Sequence, residues 1–408
     1  MAKIDQILAY ALERNEFYKS ILTESRDSGK HIDRFPVLTR EVFQKNKNII
    51  LSPEYRVNNL TNHLYRLSSS GTSGVPVETF WDPNQYAKSM LSLWRRRKKY
   101  YNVSPSEKHI DFMLKYYNSV PDKKLNYLLS NNTLSINRLN LNDPEVMAHF
   151  FEVVNEFKPA WIQLSPSVME IIINYSRILH KQLPSSIKYI EFMSEMLTPS
   201  IRSQAQQLLP KAKISNMYGS EEMNAIAYEC PYGKMHIISE NVYAECLTET
   251  GVEETGEGNI ILTNLYNLVT PLIRYDQRDI VKLEPRIKCA CGYEDKVISV
   301  LKGRTSSMAI VNGKNMSTCD ISDIMLIISN KFDYPIKKYK FVFSCKENIL
   351  ICYTLFNDAF VAWRDEIWNT IKVLFEEKYG EMNMKFVMDD YDKGTYKHDL
   401  FIVKRTEI

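Results

Sequence analysis

Residues 67–76, Leu67-Ser68-Ser69-Ser70-Gly71-Thr72-Ser73-Gly74-Val75-Pro76, alternate hydroxyl side chains with glycine and end on proline. The hydroxyls of Ser69, Ser70, Thr72 and Ser73 can donate to phosphate oxygens without adding bulk. Gly71 and Gly74 let the backbone turn where a side chain would forbid it, and exposed N–H groups in such a turn face an anion. The stretch therefore suits the β- and γ-phosphates of a nucleotide. It is not the Gly-x-x-x-x-Gly-Lys-Ser/Thr loop, because no lysine follows the second glycine. On its own it reads equally well as a flexible linker, so the rest of the chain must decide.

A second chemistry is offered by thiols. Cys230 and His236 flank the turn Pro231-Tyr232-Gly233, and Cys289-Ala290-Cys291-Gly292 follows as a knuckle. Three thiolates and one imidazole make a tetrahedral Cys₃His set, the pattern of structural zinc. With four protein ligands no water is activated, so the ion would staple a β-rich subdomain. The competing reading is four unrelated thiol and imidazole groups. Cys246, Cys319, Cys345 and Cys352 read as small apolar core residues.

The elements that must position these residues change character along the chain. Residues 1–50 read as helical with a break at Phe35-Pro36-Val37-Leu38-Thr39, where Thr39 caps a helix through Lys47. Residues 77–101 read as a helix led by Trp81-Asp82-Pro83, and its run Arg95-Arg96-Arg97-Lys98-Lys99 as a solvated helix end. From 108 to 200, β-rich runs (109–113, 161–164, 187–192) alternate with helical stretches (143–157, 166–182), which argues for α/β layers on a mostly parallel sheet. Ile214 opens a further strand ending at Met217-Tyr218-Gly219. Beyond 235 come strands with tight turns (235–238, 242–246, 259–264, 280–283), a small barrel or meander. After Gly303-Arg304, strands (338–344, 348–354) and helices (320–331, 358–378) form a separate α+β segment. The expected division is a large lobe over 1–303, with its β-rich part at about 230–300, and a small lid over 304–408.

Bulk properties exclude several classes. A chain of 408 residues exceeds what one core usually covers, and its formal charge of +3 gives no support to a nucleic-acid partner. No apolar run approaches the roughly 20 residues of a membrane span, and the first residues lack a signal-peptide core. Seven cysteines without a secretory signal fit a reducing cytoplasm.

Five landmarks then stand in a fixed order: Ser69 to Pro76, Tyr218-Gly219-Ser220-Glu221-Glu222, Pro271 to Asp279, Gly303-Arg304, and a lysine near the C-terminus. Together they resemble the acyl-adenylate-forming (AMP-forming) ligases, specifically the phenylacetate–CoA ligase-like and capsule-biosynthesis ligase-like branch. Phe35 to Arg40, Lys158-Pro159 with Ser165-Pro166-Ser167, and Ser194-Glu195 with Leu197-Thr198-Pro199 carry that narrower likeness, which spans roughly residues 30–405.

The resemblance implies roles. A carboxylate would attack the α-phosphate of ATP to give acyl-AMP and pyrophosphate, and a thiol or amine would then displace AMP. The loop Ser69–Gly74 would hold phosphates, with Thr72 catalytic among them. Glu222 would bind Mg²⁺. Tyr218 and Gly219, with Ser194 and Glu195, would form the adenine side, Tyr218 stacking on the base. Asp279 would accept from the ribose hydroxyls, and Arg304 would reach ribose or phosphate. A lid lysine, Lys397 with Lys393 and Lys404 as alternatives, would bridge the carboxylate and the α-phosphate. The acyl pocket would draw on Trp161, Gln163, Ser165, Met193 and Met217, suiting an aryl or medium acyl acid. Some members of that branch carry a zinc site in the interval of Cys230, His236, Cys289 and Cys291. The acceptor would be coenzyme A or a carrier-protein phosphopantetheine; an amine acceptor, a non-catalytic binding descendant and a homodimer stay open. Departures from the family pattern are Glu221, Arg278, Tyr396, Ser306-Ser307 and Ser194, which bear on the adenine pocket and on lid rotation.

Overall fold

A capping residue followed by proline opens helix after helix. Asp82, Asp143 and Thr198 each accept from backbone N–H groups at the start of Pro83–Tyr101, Pro144–Phe157 and Pro199–Leu208. Proline at the first helical position lacks an N–H that would have been orphaned anyway, and its fixed φ is already helical. Thr39 caps Arg40–Ile50 in the same way, accepting from the Val42 N–H.

The computed structural model describes residues 3–22, 31–56, 63–68, 77–115, 117, 124–139, 141–304, 308–333, 335–389 and 400–405, without the side chains of His31, Arg304 and Cys319. Their packing divides the chain into two units, residues 1–105 with 215–301 and residues 106–214 with 302–408.

The first unit carries antiparallel strands in the spatial order Gly251–Glu253, Val242–Thr248, Gly256–Asn264, Tyr275–Lys288, Glu294–Arg304, Met235–Ile237, Asn224–Glu229, Lys213–Ser220. Apolar residues of one face, among them Ile226, Ala244, Ile260, Leu262 and Val281, bury against Ile7, Leu8, Phe17, Phe35 and Phe43 from the N-terminal helices. Tyr65–Ser68 and Glu78–Trp81 pair antiparallel with Ser68 opposite Glu78. The structure corrects the expected helix at 77: Glu78–Trp81 is a strand, and the helix waits for the Asp82 cap.

The basic run is also corrected. Arg96 and Arg97 are buried at 0% and 2% exposure. Arg96 donates to both Glu240 carboxylate oxygens at 3.2 and 3.0 Å and to Asp295 Oδ2 at 3.1 Å, so the buried guanidinium is paired with the buried Asp295 and the partly exposed Glu240. Helical periodicity puts 96 and 97 on the inner face of Pro83–Tyr101, and composition alone cannot see that.

The second unit holds strands in the order Tyr189–Phe192, Trp161–Leu164, His109–Met113, Thr133–Asn137, Tyr127–Ser130; the first four are parallel and the last is antiparallel at the edge. Ile110, Leu134, Ile136, Ile162, Leu164, Ile190 and Phe192 face helices Pro144–Phe157, Pro166–Ile178 and Pro199–Leu208. The unit's C-terminal part is a four-stranded sheet, Asn383–Val387, Ile349–Phe356, Ile336–Ser344, Phe401–Lys404. Helices Thr318–Lys331 and Arg364–Tyr379 cover it through Ile321, Met325, Ile328, Ile367, Ile371 and Phe375. The expected helix over 358–378 divides into a 3₁₀ turn, Asp358–Trp363, and Arg364–Tyr379. The fold is therefore α/β with an α+β C-terminal part. Cys246 and Cys352 are buried as expected, whereas Cys345 is exposed, just past the last paired residue of its strand.

Candidate nucleotide and metal sites

In the first unit, strand Lys213–Ser220 delivers Tyr218, and the turn that follows delivers Glu222. Tyr218 donates its hydroxyl to Asp279 Oδ2 at 2.6 Å, joining two residues 61 apart in sequence. One Asp279 oxygen is therefore engaged before any ligand arrives. Glu222 is 5% exposed, and its backbone carbonyl accepts from Asn264 Nδ2 at 3.3 Å. Its carboxylate is near enough to Tyr275, at the head of Asp279's strand, to help burial push that phenol up. Gly219 has a steric reason: a Cβ there would meet the Asn224 carbonyl oxygen at 2.6 Å and Met217 sulfur at 3.0 Å. Ser220 holds the turn by accepting from the Met223 N–H at 3.2 Å. Burial, with the Glu222 charge adding to it, raises the Glu221 carboxyl above the ordinary range.

Arg278 occupies the left-handed region at φ +61°, a conformation glycine takes without cost. Its N–H donates to Asp276 Oδ1 at 2.8 Å and its guanidinium pairs with Glu41 on helix Arg40–Ile50. Those two bonds hold Asp279's approach in place without glycine.

In the second unit, Ser194 likewise sits at φ +70°. Glu195 beside it accepts from the Ser167 N–H at 3.0 Å and the Ser167 hydroxyl at 2.9 Å. It thereby caps helix Pro166–Ile178, whose Ser165 makes no side-chain cap of its own. Ser165 instead meets Ser167 at 3.0 Å and accepts from Arg138 at 3.3 Å. Trp161 is 1% exposed and stacks on His109 at 4.5 Å between ring centres. Gln163 donates to Glu191 Oε1 at 2.9 Å, Met193 is half-buried, and Met217 is buried in the first unit. The hydroxyl-rich loop (Ser69, Ser70, Gly71, Thr72, Ser73, Gly74) and the lysines Lys393 and Lys397 lie outside the described residues, as does the Arg304 side chain. Lys404 is on strand Phe401–Lys404 with an exposed side chain.

The metal set converges. The donor atoms of Cys230, His236, Cys289 and Cys291 lie within 4.8 Å of one another. Cys230 and Cys289 sulfurs are 3.9 Å apart, and His236 Nε2 is 3.4 Å from Cys291 sulfur. Around a tetrahedral zinc with bonds of about 2.3 Å to sulfur and about 2.0 Å to nitrogen, ligand atoms stand roughly 3.5–3.8 Å apart, so the donors fit such an ion. Two matching turns build the site. Gly233 N–H donates to the Cys230 carbonyl and Gly292 N–H to the Cys289 carbonyl, both at 2.9 Å, with Gly233 and Gly292 at φ +69° and +85°. Burial pushes the Cys230 thiol up to about 11. At Cys291 burial is overcome by hydrogen bonds, the Tyr100 hydroxyl at 3.2 Å first among them, and the thiol falls below its usual range. Burial lowers His236, keeping it the neutral imidazole a metal requires. Tyr100 is the member that the sequence did not reveal; a tyrosine at the end of a helix 130 positions upstream carries no local signal.

No family model matches the chain. CapK of Staphylococcus aureus is 23% identical over 374 residues, covering 88% of this chain and 78% of that protein. The phenylacetate-coenzyme A ligase of Thermus thermophilus is 26% identical over 186 residues, 43% of this chain and 41% of the ligase. Among solved structures, a 2-hydroxyisobutyryl-CoA ligase with a bound acyl adenylate matches at TM-score 0.77 and 14% identity, covering 99% of this chain and 88% of that one. An anthranilate CoA ligase matches at TM-score 0.54 and 12% identity over 81% and 64% of the two chains. In sequence the chain is similar to CapK and to the phenylacetate–coenzyme A ligases, and its fold is that of the acyl-CoA ligases of known structure.

Proposed function

We propose that this chain is an AMP-forming acid–thiol ligase that activates a carboxylic acid with ATP and passes the acyl group to coenzyme A. The observation that carries this reading is the joining of Tyr218 to Asp279, with Glu222 buried one turn from Tyr218. These are the aromatic, ribose and metal positions in the order that an adenylate-forming site needs.

In the first step a substrate carboxylate oxygen attacks the α-phosphorus of ATP, and the bond to the pyrophosphate oxygen breaks. In the second, the thiolate of coenzyme A attacks the acyl carbon and AMP leaves with the bonding pair. Charge accumulates on phosphate oxygens in the first step, so positioning and positive charge are what the protein supplies. Asp279, its Oδ2 held by Tyr218, faces the ribose hydroxyls as their acceptor. Tyr218 presents its ring to adenine while its hydroxyl fixes that carboxylate. Glu222 is the ligand for Mg²⁺, which neutralises phosphate charge when bound. Ser69–Gly74 with Thr72 cradle the phosphates, Ser194, Glu195 and Arg304 border the nucleotide, and Lys397 bridges carboxylate and α-phosphate from a lid that begins at residue 304. Cys230, His236, Cys289 and Cys291 hold a structural Zn²⁺.

ATP–pyrophosphate exchange across a panel of carboxylic acids tests the reading. Acid-dependent exchange that Glu222→Gln lowers by at least a hundredfold is expected. No exchange with any acid would favour a binding-only descendant; acceptor trials in which an amine but neither coenzyme A nor a loaded carrier protein takes up the acyl group would favour an amide ligase.

A further inference from the structure

One face of the parallel sheet in the second unit is apolar and packed by helices; the opposite face is polar at the end where the strands finish. Side chains alternate across a strand, so the registers sort them into rows. Thr133, His109, Trp161 and Tyr189 form the first row, and Ser135, Asp111, Gln163 and Glu191 the second. Asn137 and Met113 open a third at the carboxyl ends, where ligands of open parallel sheets bind. The first row is an aromatic floor, with Trp161 between His109 and Tyr189 at 4.5 and 6.2 Å. The second is a line of hydrogen-bonding groups. Glu191, fully buried, accepts from Gln163 at 2.9 Å and from the Tyr189 hydroxyl at 3.0 Å.

Most buried polar groups find partners, and an orphan is costly. Beside this line, three atoms on adjacent positions have none among the described residues: Asp111 Oδ1, Asn137 Nδ2 and Arg138 Nε. Asn137 is 0% exposed, its Oδ1 already accepting from the Leu139 N–H at 3.0 Å. Arg138 is 16% exposed and spends one nitrogen on Ser165. Burial also raises the Asp111 carboxyl above its usual range. An acceptor on Asp111 and a donor on Asn137, diagonal neighbours on adjacent strands, complement a group that both donates and accepts. A hydroxyl does both; a methyl or bare ring does neither, and an ammonium cannot accept.

Resting on the ligase reading above, we propose that this row is the tail end of the acyl pocket and that the acid carries a hydroxyl group, which donates to Asp111 Oδ1 and accepts from Asn137 Nδ2. The aryl or medium acyl body lies against the Gln163 and Met193 side of the face.

The test uses matched acids: butyrate and 3-hydroxybutyrate, hexanoate and 6-hydroxyhexanoate, phenylacetate and 4-hydroxyphenylacetate. In ATP–pyrophosphate exchange the hydroxylated member of at least one pair should show kcat/KM at least tenfold higher. Asp111→Ala should erase that preference through KM, and Asp111→Asn should retain part of it. Preference for the unsubstituted member in every pair, or a preference unchanged in Asp111→Ala, overturns the proposal. If no acid supports exchange, the ligase reading fails separately. Ligand-observed NMR of the same pairs then decides the pocket: hydroxyl-selective binding that Asp111→Ala abolishes sustains it, and its absence overturns it.

Discussion

Ser194 and Arg278 keep left-handed backbones, φ +70° and +61°, at positions where the resembling family carries glycine. A non-glycine residue held there stores on the order of 1–3 kcal/mol. Ser194→Gly should therefore leave stability unchanged or raise it, while Ser194→Val should cost about 1–2 kcal/mol in urea unfolding. At both departures the backbone holds a left-handed conformation that glycine takes without cost, which the residue type alone does not reveal. Arg96 makes a second case. Removing it as Arg96→Ala strands Glu240 and Asp295 and should cost about 3–5 kcal/mol. Burial would raise Glu240, but the Arg96 hydrogen bond prevails and holds its pKa below the usual 4.5. A depressed folded pKa means that this stability is present above about pH 4.5 and lost as pH falls through the folded value. Melting temperature measured from pH 6 to 3 should drop less in Glu240→Gln than in the parent. Arg96 was unreadable in a run of five basic residues because composition carries no information about which face of a helix is buried.

At the scale of elements, the two turns 230–234 and 289–293 are brought together by the antiparallel strands that precede and follow them. Cys289→Ser should lower melting temperature and bound zinc in step, read by differential scanning fluorimetry and metal analysis. Tyr100→Phe removes a donor from Cys291 sulfur and should weaken zinc binding by about tenfold, with the fold kept. The clustering of Cys230, His236, Cys289 and Cys291 was legible because thiols and an imidazole beside tight turns have few other uses. The starts of Arg40–Ile50 and Pro144–Phe157 were legible too, from the Thr39 cap and from the helical run opening at 143. The hairpin Tyr127–Ser130 with Thr133–Asn137 went unread: Leu128 and Leu129 are exposed at 43% and 55%, so the usual alternation is absent. Helix Pro199–Leu208 was short and went unread beside its cap. Asp111 and Asn137 also escaped, because their significance lies in strand register, and no local spacing records which residues of separate strands share a face.

At the scale of the whole chain, five weak motifs in order recovered the fold, since each alone has many uses but their sequence has few. Gly303 has φ +89°, and a Cβ there would lie 2.8 Å from the Met196 methyl carbon. With the lid reading, Gly303→Val should slow thioester formation more than pyrophosphate exchange; equal slowing of both half-reactions would count against a pivot at this residue. The convergence of three thiols has a practical side. Sulfurs 3.9 Å apart need to close by only about 2 Å to reach bonding distance. Preparations purified over chelating resins and stored in air should therefore age into an internally cross-linked form that added metal no longer rescues until a reductant is supplied.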